Sequence, residues 1–235
     1  MSDLKPKRFW TSGAVVETEG GYTVELDGRR VKTPAKAALV LPTHSMAEAV
    51  AEEWDAQEKE IDPTTMPFTR SANAAIDKVQ HQHGEVAEML ADYGDSDLLC
   101  YRATHPETLQ KRQSEAWDPA LDWAAEMLGS RLIPIAGVVH QPQDDKALRR
   151  LRSRVHALNA FQLAAFHDLV SLSGSLILGF AAAQDWREPD EIWQISRLDE
   201  IWQIEQWGYD DEAHAAAEAK KSAFLHAKRF YDLSI

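Results

Sequence analysis

The sequence lacks a second cysteine. Cys100 stands alone among 235 residues, so no internal disulfide can form, and a reducing compartment is expected. Its neighbours in Leu98-Leu99-Cys100-Tyr101 are mostly apolar, which raises a thiol pKa and suits a structural role. Motifs that hold phosphate or metal are missing as well. There is no GxGxxG, no GxxxxGK followed by Ser or Thr, no HExxH and no cysteine pair. His81 and His83 lie two apart, and on a helix that spacing points them to different faces, away from a shared ion. No cofactor and no metal are expected. The frame of a nucleophile elbow is absent too: Ser171, Ser173 and Ser175 lie in a helix-like run without G-x-S-x-G.

Long apolar runs are also missing. The most apolar stretch, residues 169–183 (LVSLSGSLILGFAAA), is too short to span a bilayer and carries three serines. A buried helix is expected there, with its small residues allowing close packing, and no membrane insertion. The first ten residues show no secretory signal. Positive charge is scarce: the formal net charge is −13. Such a surface repels phosphate backbones, which argues against nucleic acid as a partner. One basic cluster, Lys146, Arg149, Arg150, Arg152 and Arg154, spreads around a helix and reads as a solvated face or as ion pairs.

What is present divides near residues 61–67. Residues 14–18 and 22–26 read as strands, and Asp27-Gly28 is a hairpin signal before a return strand at 29–32. Residues 39–41 suggest one further short strand. After Pro42 the period becomes helical, with Thr43 as N-cap and Met46, Ala49, Val50 and Trp54 on one face. Pro63 and Pro67 exclude helix interior between them. Helices then dominate. One is expected from Pro106 to Trp117, with a restart at Asp118-Pro119 and an end at Gly129. A short strand or connector follows at 132–141, then a helix capped by Asp144 or Asp145. The expected class is α+β: a small β-rich N-terminal domain with one helix, residues 1–64, followed by a larger multihelical C-terminal domain, residues 65–235.

The densest aromatic and acidic segment lies near the end. DEIWQI occurs twice, at 190–195 and 199–204. Nine residues advance a helix by about two and a half turns, so in one helix Trp193 and Trp202 face opposite sides. A single helix over residues 189–207 would be apolar all round. Arg197, Glu200, Ile204, Trp193 and Trp207 would share a face, placing a carboxylate among indoles. Unpaired, it would cost several kcal/mol to keep charged. Two remedies are open: an i−3 pair with Arg197, or a cationic or hydrogen-bonding group from a partner.

Taken in order, several stretches resemble one family. They are RFW at 8–10, LDGRRVKTP at 26–34, AEAVAEEWDAQ at 47–57, IDPTTMPFTRSANAAID at 61–77, LLCYRA at 98–103, WDPALDWA at 117–124, SLILGFA at 175–181 and SRLDEIWQIEQWG at 196–208. The chain resembles the assembly-chaperone family for the alpha subunit of the soluble catalytic sector of F-type ATP synthase. That resemblance implies a non-enzymatic protein that binds the free alpha subunit and shields the surface the beta subunit later covers. The family frame Leu-Glu-Gln-Ile-Trp-Gly falls on Leu198, Glu200, Gln203, Ile204, Trp207 and Gly208, which places the family's functional acid on Glu200. The expected partner-binding set is Glu200, Gln203, Trp207, Trp193 and Arg197. Ser71 departs from the family, where a larger apolar residue is more usual. Eukaryotic members carry a mitochondrial presequence that this sequence does not show, so a bacterial cytoplasm is expected; the chain is also expected to be a monomer. The rival readings are a small hydrolase or transferase with a site assembled from scattered His and Asp residues, and an adaptor that oligomerises through its aromatic helix.

Overall fold

The computed structural model describes residues 7–235 and packs into two compact units. Unit one takes the chain up to His83 together with residues 159–165 and 229–235; unit two takes residues 84–158 and 166–228. The units are therefore discontinuous in sequence. The first holds more than the β-rich segment, because α-helical residues from three parts of the chain join it.

In unit one, β1 (Gly13–Thr18), β2 (Gly21–Leu26) and β3 (Arg29–Arg30) form an antiparallel sheet in that order. The Asp27-Gly28 turn has positive φ at both residues, 48° and 79°, as a tight two-residue hairpin requires. Residues 39–41 do not become a full strand; Leu41 makes a single antiparallel bridge with Tyr22. That approach is close: a Cβ on Gly21 would lie 2.2 Å from the Leu41 carbonyl oxygen. Helix α1 (His44–Asp55) is capped by Thr43, whose hydroxyl accepts from Met46 N at 3.1 Å, and buries Met46, Ala47, Val50 and Ala51. Helix α2 (Pro67–Ala74) starts on a side chain from α1: Glu53 accepts from the backbone of Phe68 and Thr69 at 2.6 and 2.8 Å. Burial outweighs those bonds and raises the Glu53 pKa. Phe68 and Phe161 each stack on Phe230, which ties the three chain segments of the unit together.

Unit two is helical: α3 (His83–Ala91, whose first residue falls in unit one), α4 (Glu107–Trp123), α5 (Asp145–His156), most of α6 (Ala160–Ser173), α7 (Leu176–Ala183), α8 (Pro189–Ser196), α9 (Leu198–Trp207) and most of α10 (Asp211–Leu233). Strands β4 (Tyr101–Arg102) and β5 (Ile135–Ala136) pair in parallel, so the connector at 132–141 does contain a strand. Asp144 caps α5, accepting from Ala147 N at 2.9 Å, and Gly129 ends the preceding helical segment with φ 67°. Arg150 and Arg154 donate to the carbonyls of Gly129 and Met127, while Arg152 pairs with Glu88 and Asp92. The basic cluster is thus largely spent on local ties.

Two helix assignments are corrected. Helix α4 does not restart at Asp118-Pro119 but runs through Pro119. Proline there forfeits the bond to the Glu115 carbonyl, at a cost of about 3 kcal/mol in an ordinary helix interior. Burial of Trp117, Ala120 and Leu121 on one stripe holds the helix together through it. Residues 169–183 are likewise not one helix. They break at Gly174, φ 72°, and α7 begins afresh with Ser175 as N-cap, accepting from Leu178 N at 3.0 Å. Small residues do permit close packing there: a Cβ on Gly179 would lie 2.6 Å from Val170 Cγ2.

All eight residues of α7 are buried, so its N-terminal donors need internal partners. Fully buried Asp97 supplies one, accepting from Ile177 N and from Leu99 N, both at 3.0 Å. Burial nevertheless pushes its pKa from 3.8 up to about 6. The unfolded chain ionises this carboxyl first, so between pH 3.8 and about 6 the folded chain holds the extra proton. Stability from this group is greatest below that window and is lost as pH rises through it, by about 3 kcal/mol. Urea unfolding at stepped pH should show this fall in the native chain and its absence in Asp97→Asn.

Candidate functional site

The site lies within unit two, where the chain turns from α8 to α9. The expected single helix over residues 189–207 does not exist. Arg197 leaves helical geometry (φ −100°, ψ 13°) and joins two shorter helices. The break resolves the all-round apolar pattern. Helix α8 turns Ile192, Trp193, Ile195 and Ser196 into the core, whereas Leu198 is the only buried residue of α9. From Gln203 through Ala216 the chain is exposed.

Three contacts moor this segment to α4. Trp117 Nε1 donates to the Ile195 carbonyl at 3.0 Å. Gln113, itself buried, donates to Asp199 at 2.8 Å while its carbonyl accepts from Ala103 N at 2.8 Å. Arg112 forks onto both carboxylate oxygens of Glu205, at 2.5 and 2.9 Å. That guanidinium holds the Glu205 pKa below its usual value. The three donors lie within about a turn and a half of α4. Their partners run from the end of α8 to the last turn of α9, so together they fix the direction of α9.

With α9 so placed, a cleft of about 460 Å³ opens between it and the start of α10. All five expected residues line it. Trp193 is its floor, 3% exposed and packed on Phe224. The Arg197 guanidinium lies 5.6 Å from the Trp193 ring and pairs with Glu200 at 2.9 Å. Glu200 is not the desolvated acid that a single helix implied; its side chain is 45% exposed. The first remedy, the i−3 pair, is therefore formed, and the acid still faces the opening. Gln203 and Trp207 complete the α9 wall, Trp207 being 79% exposed.

The opposite wall was not anticipated. Ala213, His214, Ala217 and Glu218 of α10 line the same cleft. Ala213 and Ala217, four residues apart, share one face of α10. Only the tertiary fold brings that face opposite Ile201 and Ile204. On the other side of α9 lies a second cleft of about 510 Å³, with Trp202, Asp199, Val138 and Leu109 among its lining. Trp193 and Trp202 thus do face opposite sides, and Gln203 and Trp207 border both clefts.

Among the described residues no cluster of His, Cys, Asp or Glu could hold a metal ion. Cys100 is buried, and desolvation pushes its thiol pKa far up. No helix among the described residues is long and apolar enough to cross a membrane.

Residues 7–125 match the model of the ATP12 chaperone protein family. The mitochondrial protein atp12 of Schizosaccharomyces pombe is 28% identical over 222 residues, covering 88% of this chain and 76% of that protein. The crystal structure of Atp12 from Paracoccus denitrificans superposes with a TM-score of 0.96 at 47% identity, covering 98% of this chain and 99% of that one. A point mutant of the same protein gives the same score and identity. A structure from Agrobacterium tumefaciens, 40% identical, has a TM-score of 0.88 over 95% of this chain and 85% of that one. With half the chain matched by the family model and nearly all of it by these folds, the chain belongs to the ATP12 chaperone family.

Proposed function

We propose that this chain is a non-enzymatic assembly chaperone that binds the free alpha subunit of F-type ATP synthase and covers its interface until the beta subunit takes its place. It works as a monomer in a bacterial cytoplasm. The observation that carries this reading is the exposed α9 wall. Trp207 and Ile204 stand in solvent beside the Arg197–Glu200 pair, on a helix moored by three ties to α4. A folded chain leaves a large aromatic so exposed at a cost in solubility, and partner binding is the usual compensation. An unassembled subunit has the complementary need, since its apolar interface is open to aggregation.

The Arg197–Glu200 pair is suited to exchange. Exposed pairs of this kind contribute about 0.2–1 kcal/mol, so a client group can replace either member at small cost. Trp193 keeps the guanidinium in place from below, leaving the carboxylate as the freer half.

Two substitutions test the reading. Glu200→Lys places two cations side by side at the cleft mouth. It should abolish capture of free alpha subunit in a pull-down, leave the circular dichroism spectrum unchanged, and leave the beta subunit uncaptured as before. A loss of helical signal would instead make Glu200 a structural acid. Trp207→Ala removes an exposed side chain, so thermal stability should hold. Alpha-subunit affinity should fall by about 2 kcal/mol, roughly thirtyfold, as for an interface anchor. Unchanged affinity would place the client elsewhere.

A further inference from the structure

The cleft has a definite shape and charge, and both specify what fits it. Its α9 wall runs from Arg197 to Gly208 through Glu200, Ile201 and Ile204. Eleven steps at helical rise give about 16 Å, or three turns. The facing α10 wall is built on Ala213 and Ala217, which leave the space between the walls open instead of filling it with their own side chains. An open cleft with apolar side chains at helical spacing on one wall and small residues on the other has the surface pattern of helix-in-groove recognition, in which a helix lays only its apolar face into the groove.

The rim carries the second specification. Residues 188–218 contain ten acids and one base, Arg197. Some acids are held internally: Glu205 by Arg112, Asp190 by Lys221 and Glu191 by Arg187. Glu218, which lines the cleft, and the Asp210-Asp211-Glu212 run at its end carry no ion pair among the described residues. Lys221, just beyond that stretch, offsets part of the Glu218 charge, but acids still predominate, and an apolar trough with an acidic edge attracts a segment of opposite pattern and repels an acidic one.

We infer that the cleft between α9 and α10 receives a cationic amphipathic helix, its apolar face on Ile201, Ile204 and Trp207 and its lysine or arginine side chains against Glu218 and Glu200. This rests on the proposed function for the source of the helix, the free alpha subunit, but not for its chemistry. The rim repels an acidic helix and gives a neutral apolar one no electrostatic attraction. A second copy of this chain meeting the cleft through the same surface is opposed, because its own α9–α10 rim carries the same sign.

The test uses the full chain and two dye-labelled synthetic amphipathic helices, one of leucine and lysine, the other of leucine and glutamate. Binding is read by fluorescence anisotropy at low and raised salt. The lysine peptide should bind, more weakly as salt rises, and the glutamate peptide should not. Ala217→Trp fills the trough without changing charge, and Glu218→Lys reverses the rim at an exposed position. Each should weaken the lysine peptide by about tenfold while circular dichroism stays native. Unchanged binding by Ala217→Trp would mean that the peptide meets only diffuse surface charge, and would overturn the inference. So would equal binding of both peptides, or self-association by light scattering that Ala217→Trp abolishes. Capture of free alpha subunit separates the two readings. If the native chain captures it and both variants do so equally well, the inference falls and the chaperone reading stands. If the native chain captures none yet binds the lysine peptide in the trough, the chaperone reading falls and the inferred chemistry stands.

Discussion

The backbone break at Arg197 is the constraint on which the functional surface depends. A straight helix over residues 189–207 could not satisfy its own sequence, because apolar side chains would emerge on every side of a segment with only one core to face. Interrupting it at one residue lets the two copies of the hexapeptide take opposite fates. The first copy is swallowed, with Ile192, Trp193 and Ile195 buried. The second is presented, with Ile201 and Trp202 half-buried and Gln203 and Ile204 in solvent. Arg197 is well suited to the joint. It ends α8, rests its guanidinium on the buried Trp193 ring, and reaches Glu200 in the first turn of α9. A residue without a long cationic side chain could end the helix, but it could not also link the core-facing copy to the exposed one.

Presenting an apolar helix in water requires holding it from behind. The ties to α4 differ in kind along the length of α9. Near the break they are buried or part-buried and neutral or charge-assisted, through Trp117 and Gln113, and worth about a kcal/mol apiece. At the far end the tie is the exposed Arg112–Glu205 fork, which is screened and weaker. Helix α9 is therefore firmest where it joins the core and most yielding at Trp207. That gradient suits a chaperone, which must hold its client without the permanence of an assembled subunit.

Much of the fold could be read from single residues whose effect is local. Thr43 and Asp144 cap helices because a side-chain oxygen accepts from a backbone N–H three residues on, and Asp27-Gly28 turns because both residues take positive φ. The residues of the cleft were legible for another reason: Glu200, Gln203 and Trp207 fall on a family frame, and Trp193 and Arg197 follow at helical spacing. What escaped was whatever tertiary packing decides. Pro119 stays in a helix because Trp117 and Leu121 are buried beside it, against local preference. Gly174 breaks a run that looks uniformly apolar, since its left-handed φ ends one buried helix and frees Ser175 to cap the next. The α10 wall was invisible because Ala213 and Ala217 acquire meaning only from what stands across from them.

The same acids that shape the cleft also explain how the chain tolerates it. An exposed tryptophan beside an exposed isoleucine is a risk for self-association when copies meet face to face. Here every such encounter brings two acidic rims together, on a chain whose formal net charge is −13. Repulsion between like surfaces opposes the contact at distances up to about a Debye length, before apolar groups can touch. A partner of opposite sign meets attraction over the same range and only then finds the trough. Solubility and selectivity are thus one electrostatic property seen by two different partners, and neutralising the rim would weaken both together.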